Sequence, residues 1–165
     1  MRKFNKTSII MIMAILFILL LSACDITVSI NITLDANGGV FEGGRSTYII
    51  KTDGSSAVTI PNNPQKDGYT FDGWFWDDET FDEPFTENSL KETPIENDIT
   101  VYANWIINQY TITFESNGGS AVADVTQDYN TAVSEPTEPT REGYTFDGWY
   151  GDIDLLVEYS FETMP

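Results

Sequence analysis

Apolar and polar residues alternate at the two places where the fold of this chain is easiest to predict. In residues 26–34 every second side chain is Ile, Val or Leu, and the side chains between them are Thr, Ser or Asn. A period of two puts all the apolar side chains on one face of a half-buried β-strand. Residues 110–114 repeat the pattern with Tyr110, Ile112 and Phe114. Both predicted strands run into Asn-Gly-Gly, which accepts positive φ and predicts a tight turn.

A seven-residue segment occurs twice in the chain. Residues 68–74, Gly-Tyr-Thr-Phe-Asp-Gly-Trp, recur letter for letter as residues 143–149. The two Asn-Gly-Gly turns are five residues further apart than these heptapeptides, so the first unit carries an insertion, which we place within residues 40–46. A loop after a turn is where an insertion costs least. We therefore predict one unit written twice, with domains at residues 26–106 and 107–165.

Further strands are predicted inside each unit. Residues 57–60 and 132–134 form one equivalent pair, which Pro61 and Pro136 end because proline lacks an amide hydrogen. The heptapeptides form the next pair. Residues 99–105, Ile-Thr-Val-Tyr-Ala-Asn-Trp, close the first unit and are rich in the β-branched and aromatic residues that favour strands.

Helix signals are scarce after the N-terminal segment. Only residues 88–92 predict a helical turn, and Pro94 prevents a longer helix. The predicted fold class is therefore mostly β, or α+β at most.

The motifs resemble a known family. Asn-Gly-Gly, then Pro-x-x-Pro-x-Lys/Arg-x-Gly-Tyr-x-Phe-x-Gly-Trp, and then Ile-Thr-Val-Tyr-Ala-x-Trp are similar to the Listeria–Bacteroides repeat, also called the internalin B-repeat. The resemblance begins at about Ile32 and covers the rest of the sequence. It implies small β-grasp-like domains in tandem on bacterial surface proteins, with roles in spacing, adhesion or partner contact. The family pattern contains no catalytic residues, so none is transferred to this chain.

The second unit differs from the first at its end. The first unit continues from Trp74 to Trp105, whereas the sequence reaches Pro165 before a second closing strand. In a β-grasp-like sheet the last strand pairs beside the first, so we expect unpaired backbone groups along an edge of the second unit. Three explanations stay open: a truncated gene product, a strand supplied by another molecule through β-augmentation, or a second unit that folds poorly.

The N-terminus has the order of a secretory signal. Arg2, Lys3 and Lys6 precede an uninterrupted apolar run of 13 residues, and small residues follow it. A spanning helix needs roughly 20 apolar residues, so the run is too short for an ordinary one. We predict a signal helix and signal peptide in residues 1–23.

The end of this segment also resembles a known motif. Leu-Ser-Ala-Cys at residues 21–24 resembles the lipobox of bacterial lipoproteins, and Cys24 is the only cysteine. The resemblance implies cleavage between Ala23 and Cys24, lipidation of the Cys24 sulfur, and a lipid-anchored start at residues 24–25. The expected location is the extracytoplasmic face of the cell membrane, with the lipid as the contact to the membrane. A plain signal peptide or a short signal anchor beside a chance thiol is the alternative.

The charge of the chain excludes one class of partner. The formal net charge is −18, and loss of residues 1–23 removes three basic and no acidic residues, which gives −21. Nucleic acid is a polyanion that such a field repels, and the sequence has no basic stripe to bind it. Acidic charge of this size is typical of a surface protein that stays soluble.

Catalysis is not expected. The chain has no histidine, and its one cysteine is predicted to be acylated, which excludes a Ser-His-Asp triad, a Cys-His pair and a histidine-ligated zinc site. We expect no enzyme activity, no cofactor and no small-molecule substrate. Asp77, Asp78, Glu79 and Asp82 are weak metal candidates, because their spacing lacks the alternate ligands and the glycine of an EF-hand loop. Solvated loop charge is the preferred interpretation.

The tryptophans are the candidate binding residues. Trp74, Trp76 and Trp149 are predicted to form either a stacking platform for a sugar or a partner protein, or the core of a small domain. Strict alternation places Tyr69 and Phe71 in the core and turns Trp74 to the opposite face. Trp76 is the tryptophan that we expect to be most exposed.

These observations predict a membrane-anchored surface lipoprotein. Its repeat domains act as a non-enzymatic spacer or adhesion module, or belong to a fragment of a longer repeat array. The alternative is a module that binds a glycan or a host protein through exposed aromatic residues. A hydrolase that uses two facing carboxylates in a cleft is the third hypothesis.

Overall fold

The structure is a computed structural model and describes residues 29–164. These residues are mostly β, with one four-residue helix, so the predicted fold class is confirmed. The elements in chain order are β1 (Ile30–Asp35), β2 (Thr47–Thr52), β3 (Tyr69–Phe75), β4 (Pro84–Phe85), α1 (Ser89–Glu92), β5 (Ile99–Ile107), β6 (Gln109–Ile112) and β7 (Val125–Asp128). The predicted helical turn at residues 88–92 is confirmed as α1.

The N-terminal predictions lie outside the described residues. They are the signal helix in residues 1–23, the cleavage between Ala23 and Cys24, and the lipidation of Cys24. In the part of the chain that the structure describes, none of the helices has the length and apolarity to span a membrane.

The first unit forms a five-stranded sheet in the order β2-β1-β5-β3-β4. β5 is the central strand, parallel to β1 and antiparallel to β3. Leu34 of β1 lies opposite Val101 of β5, and Trp74 of β3 lies opposite Ala103. The last strand of the unit therefore joins two segments that are far apart in the sequence.

The core lies on one face of this sheet. Ile32 and Leu34 of β1 are fully buried, together with Val101 and Ala103 of β5, and Leu90 of α1 is also fully buried. The alternation of buried and half-buried residues along β1 confirms the period of two predicted from the sequence. Burial of each large aliphatic side chain contributes about 1.5–3 kcal/mol to folding.

The strand predicted at residues 57–60 is wrong. The strand that pairs with the outer edge of β1 is β2, which comes earlier in the chain. Val58 is buried, but its amide donates to the carbonyl of Glu87 in a loop contact and not in a ladder. β2 is an edge strand whose side chains are mainly exposed, so a search for apolar alternation does not detect it.

The predicted orientation of Trp74 is also wrong. The pairing of β3 with β5 shifts register between Phe71 and Gly73, which marks a β-bulge. A bulge adds one residue to a strand and so restarts the alternation of its side chains. Gly73 supplies the φ of +146° that this backbone needs. Trp74 consequently lies on the same face as Phe71 and is only 4% exposed.

The predicted Asn-Gly-Gly turns are confirmed in both units. Asn37 and Gly38 have φ of +47° and +83°, and Asn117 and Gly118 have φ of +50° and +86°. In the first unit, residues 40–46 then form a small loop that an isolated bridge between Phe41 and Arg45 closes. This loop lies where the insertion was predicted.

The second unit forms a smaller sheet of β6 and β7. Its register matches that of β1 with β2, since Ile112 pairs with Val125 as Ile32 pairs with Ile50. The heptapeptide at residues 143–149 is not a strand, so that prediction is wrong. Within the described residues it has no neighbour equivalent to β5, and a strand needs a hydrogen-bonded neighbour. The strand predicted at residues 132–134 is also wrong, because it is reduced to an isolated bridge.

Candidate interaction surface

The candidate tryptophans of the first unit pack against its core. The indole of Trp74 stacks on the ring of Phe41, with ring centroids 5.9 Å apart and planes 9° apart. The ring of Trp76 meets that of Phe85 edge to face at 5.1 Å and is half-buried. Trp74 therefore offers no stacking platform, and Trp76 offers only part of its ring.

Trp149 of the second unit packs as Trp74 does. Its ring meets that of Phe146 at 5.2 Å and 63°, and the equivalent rings of Trp74 and Phe71 meet at 5.4 Å and 62°. The ring of Phe114 adds a further contact to Trp149 at 4.9 Å. In both tryptophans the indole Nε1 is buried without a hydrogen-bond partner among residues 29–164. The ring geometry of the heptapeptide is thus the same in both units, although only one of the two is a strand.

A basic residue joins the Asn-Gly-Gly turn to the heptapeptide in each unit. Lys66 Nζ donates to the Asn37 carbonyl at 3.4 Å and lies 4.5 Å above the ring of the heptapeptide tyrosine. Arg141 Nη1 donates to the Asn117 carbonyl at 2.9 Å, and its guanidinium lies 4.0 Å above the equivalent ring. A cation over an exposed ring is worth about 0.5–1 kcal/mol, so these residues brace the turn.

The acidic segment of the first unit is a braced loop. One carboxylate oxygen of Asp77 accepts the amides of Glu79, Thr80 and Phe81 at 3.0, 2.6 and 3.2 Å. These hydrogen bonds, that of Thr80 first, lower the pKa of the Asp77 carboxyl. No group of three or more ligating side chains in residues 29–164 is arranged to hold a metal ion. Asp77 shapes the backbone of this loop.

The equivalent loop of the second unit is apolar and exposed. We call residues 153–157 the apolar loop. Its four aliphatic side chains are largely exposed: Ile153 at 96%, Leu155 at 52%, Leu156 at 81% and Val157 at 62%. Single exposed aliphatic residues are ordinary, but a contiguous group of them marks a contact surface.

The backbone holds the apolar loop in place. Gly151 donates its amide to the Val157 carbonyl at 2.8 Å. The Asp152 carboxylate accepts the amides of Leu156 and Val157 at 3.1 and 2.8 Å. Leu155 has φ of +56°. This left-handed conformation is sterically strained for a residue with a side chain, and the loop maintains it. The exposed side chains therefore project from a defined turn.

Sequence reasoning missed the apolar loop, although a signal was present. Asp152 and Asp77 occupy equivalent places in the two repeats, and each carboxylate accepts backbone amides of the loop that follows it. The side chains that follow the aspartate are mainly acidic in the first unit, at residues 78–83, and mainly aliphatic in the second, at residues 153–157. A comparison of the two repeats loop by loop reveals the change, whereas attention to aromatic and acidic residues alone does not.

The junction between the units is a third surface. Asn108 alone separates β5 from β6, and its amide donates to the Gly68 carbonyl at 2.9 Å. The ring of Tyr129 packs against Gly68, where an added Cβ would overlap the ring. At Gly143, the equivalent position, an added Cβ would have no atom within 4 Å, and the adjacent Tyr144 is 67% exposed. The position that Tyr129 covers at Gly68 of the first unit is therefore open at Gly143 of the second.

Two segments of the chain match one protein family. Residues 31–104 and residues 110–165 each match the Listeria-Bacteroides repeat domain. The chain belongs to the Listeria-Bacteroides repeat domain family. The resemblance predicted from the sequence motifs is thereby confirmed. No solved structure matches the chain.

Two relatives of this repeat-domain protein are membrane proteins by name, and a third is named an internalin. Two proteins of Evansella cellulosilytica, whose names assign them to the membrane, are 39% identical over 122 and 127 residues, which is 73% of this chain and 14% and 18% of theirs. Internalin H of Listeria monocytogenes is 34% identical over 129 residues, which is 78% of this chain and 23% of its own length. This chain spans less than a quarter of each of these relatives. What the comparisons assign to this chain is the repeat domain.

Proposed function

We propose that this chain is a non-enzymatic surface lipoprotein whose repeat domains form a spacer and adhesion module on the extracytoplasmic face of the membrane. One observation carries the proposal: what the two units share is structural. The shared features are the Asn-Gly-Gly turn, the basic brace over a tyrosine, and the Phe-Trp pair. A reactive group is not among them. Tandem repeats of this kind add reach and stability unit by unit.

The anchor is the lipid on Cys24. The apolar run and the small residues before this only cysteine support it. Metabolic labelling of cells that express the full chain with a palmitate analogue tests it. The wild type takes up the label and partitions with membranes, and Cys24→Ser takes up none. An unlabelled wild-type chain would contradict the lipid anchor.

The adhesive surface is the apolar loop. Its exposed side chains are aliphatic, which suits contact with another protein better than stacking on sugar rings. A partner that covers this loop buries several aliphatic side chains, and each is worth about 1.5–3 kcal/mol when fully buried.

Attachment of cells to protein-coated surfaces tests the adhesive role. Cells that display the wild type are expected to attach, and the double variant Ile153→Ser and Leu156→Ser to lose most of the attachment. Asp154→Ser is the matched control, because Asp154 is exposed in the same loop but contributes no apolar area. Equal attachment by all three proteins would leave the chain as a spacer only.

Glycan binding is the second candidate, favoured by the exposed ring of Tyr144. Arg141 covers one face of this ring and leaves the other face for a sugar. A glycan array probed with the full chain tests it. A signal that Tyr144→Ala and not Trp76→Ala abolishes would assign the binding to this ring.

A further inference from the structure

A cavity of about 520 Å³ opens beside the loop that is inserted in the first unit. We call residues 40–46 the insertion loop. It forms one wall of the cavity, and the segment from Pro61 to Gln65 forms the other. The volume lies within the range of roughly 300–1,000 Å³ that small-ligand sites occupy. Every residue that lines the cavity lies between residues 40 and 65, so the site belongs to the first unit alone.

The common fold of the two units does not require the insertion loop. The connection from Ile32 to Ile50 is five residues longer than the one from Ile112 to Val125, although the two pairs lie at matching places in the sheets. The second unit forms its Asn-Gly-Gly turn and the register of β6 with β7 without these residues. A loop that one unit keeps and the fold can omit is a candidate for a function of its own.

The cavity is preformed, because both of its walls are fixed. Val40 and Gln65 exchange both of their backbone hydrogen bonds, each at 2.8 Å, and so join the two walls. Phe41 is only 5% exposed and anchors the insertion loop in the core. Pro61 and Pro64 restrict the backbone of the opposite wall. A preformed site loses little conformational entropy when a ligand binds.

Polar side chains surround the mouth of the cavity. They are Glu42, Arg45, Asn62, Asn63 and Gln65, and all five are exposed. Among residues 29–164 none of these side chains forms a hydrogen bond with another residue. Each side-chain amide offers both donors and acceptors. The mouth therefore presents a set of polar groups that a ligand can engage without breaking contacts within the protein.

The three amide side chains are specific to the first unit, as the insertion loop is. Thr137, Glu138 and Thr140 occupy their places in the second unit, around a pair of prolines that both units share. The backbone contact between the walls is kept there, since Ser120 donates its amide to the Thr140 carbonyl at 2.8 Å. Two separate segments thus differ between the units at one site, while the backbone around them is the same.

The charges at the mouth favour an uncharged ligand. Glu42 and Arg45 lie on the same loop and have opposite charges, so an anion meets a carboxylate and a cation meets a guanidinium. The Arg45 guanidinium lies 5.7 Å from the centre of the Tyr48 ring, which also lines the cavity. A hydroxyl group can donate to the carboxylate and accept from the guanidinium. A compound with several hydroxyl groups matches this mouth better than an ion does.

The cavity also presents carbon surface. Val40 is 49% exposed, and Tyr48 and Pro61 are half-buried. The C–H groups of a sugar ring pack against such a surface while its hydroxyl groups bind polar side chains. An extended peptide would need a free strand edge, whereas the backbone groups of Val40 and Gln65 already pair with each other. A sugar therefore fits the cavity better than a peptide.

We propose that this cavity binds a neutral saccharide. The side-chain amides of one wall and the Glu42–Arg45 pair of the other bind its hydroxyl groups, and its C–H groups pack against Val40. The site is separate from the apolar loop and from Tyr144, because both of those lie in the second unit. The inference is therefore independent of the adhesive role of the apolar loop and of glycan binding at Tyr144.

A glycan array probed with the full chain in detergent tests the proposal. The array carries neutral glycans of hexoses and N-acetylhexosamines and acidic glycans with uronic or sialic acids, and unrelated peptides are printed beside them. Binding to neutral glycans is expected. Binding to acidic glycans alone, to peptides alone or to none of the printed probes would overturn the proposal.

Matched variants assign the binding to the cavity. The double variant Asn62→Ala and Asn63→Ala should bind the neutral glycans at least about tenfold more weakly, because sugar hydroxyl groups lose two partners. Asn97→Ala is the control, since Asn97 is exposed in the same unit but does not line the cavity. Both side chains of the double variant are exposed, so its midpoint of urea unfolding should equal that of the wild type.

Two further variants locate the site. Arg45→Ala, on the other wall, should also weaken binding of the neutral glycans at least about tenfold, whereas Tyr144→Ala should bind as the wild type does. Wild-type affinity in both the double variant and Arg45→Ala would overturn the proposal. Loss of binding in Tyr144→Ala with full binding in the cavity variants would do the same and would assign the glycan to the second unit.

Discussion

The ring of Tyr129 packs against Gly68 and leaves no room for a Cβ at that residue. Gly143 occupies the same place in the second heptapeptide, and its surroundings are open. The two glycines have nearly the same φ, +75° and +78°. They therefore share one backbone requirement, and only Gly68 has a packing requirement as well.

Substitution of these two glycines by alanine should have unequal effects. Gly143→Ala should cost about 1–2 kcal/mol of unfolding free energy, because an L residue at positive φ is strained. Gly68→Ala should cost about 1–3 kcal/mol more, because its Cβ displaces the Tyr129 ring. Urea unfolding followed by circular dichroism measures both. Equal losses of unfolding free energy in the two variants would mean that the Tyr129 ring moves aside at no measurable cost.

Trp74→Ala should destabilise the first unit by about 3–5 kcal/mol, since a buried aromatic side chain is replaced by a cavity. The change removes the stacking on Phe41 and the contact with Phe71. Ile153→Ala is the control for a large apolar residue that is exposed, and it should change stability by no more than about 0.5 kcal/mol. The midpoint of urea unfolding compares them, and similar midpoints would contradict the core role of Trp74.

The two heptapeptides should exchange their amide hydrogens at different rates in the free protein. Their sequences are identical, so sequence-dependent intrinsic rates do not separate them. β3 is bonded to β5, whereas residues 145–148 have no acceptor among the described residues. Exchange in β3 should be slower by at least about 100-fold. Equal rates would show that the second heptapeptide is paired in solution.

Asp53 should titrate at unusually low pH. The hydroxyl of Ser56 first, and then the amides of Ser55 and Ser56, lower the pKa of its carboxyl from 3.8 to about 2. Since the folded pKa is below the unfolded value, the contribution of this carboxylate is present above about pH 4 and is lost as the pH falls toward 2. Carbon-detected NMR of the carboxyl gives the midpoint. Ser56→Ala should move it up toward 3.8, and an unchanged midpoint would exclude the hydroxyl as the cause.

Alternation predicted the strands in which it runs without interruption. β1 keeps a period of two along its whole length, and β5 is rich in β-branched and aromatic residues, so both were found. Alternation failed for Trp74, because Gly73 with φ of +146° interrupts the period of two and brings Trp74 to the face of Phe71, which is visible as a register shift opposite β5. It also failed for β2, which lies at the sheet edge and buries little. For the candidate surface, the tryptophans could be identified as candidates from the sequence. The exposure of the aliphatic side chains in residues 153–157 was visible only in the folded chain.

The identical heptapeptides separate what the sequence by itself determined from what only the tertiary structure decided. The first glycine of each has φ of +75° or +78°, the second has +146° or +154°, and the Phe-Trp ring pairs agree within 0.2 Å and 1°. These features depend on bonds and contacts within the segment, so the same letters produce them twice. A strand depends on hydrogen bonds to a backbone that lies elsewhere in the chain. β5 provides that backbone to residues 69–75, and this is why the segment is a strand in the first unit, whereas its copy in the second unit has no strand partner among residues 29–164.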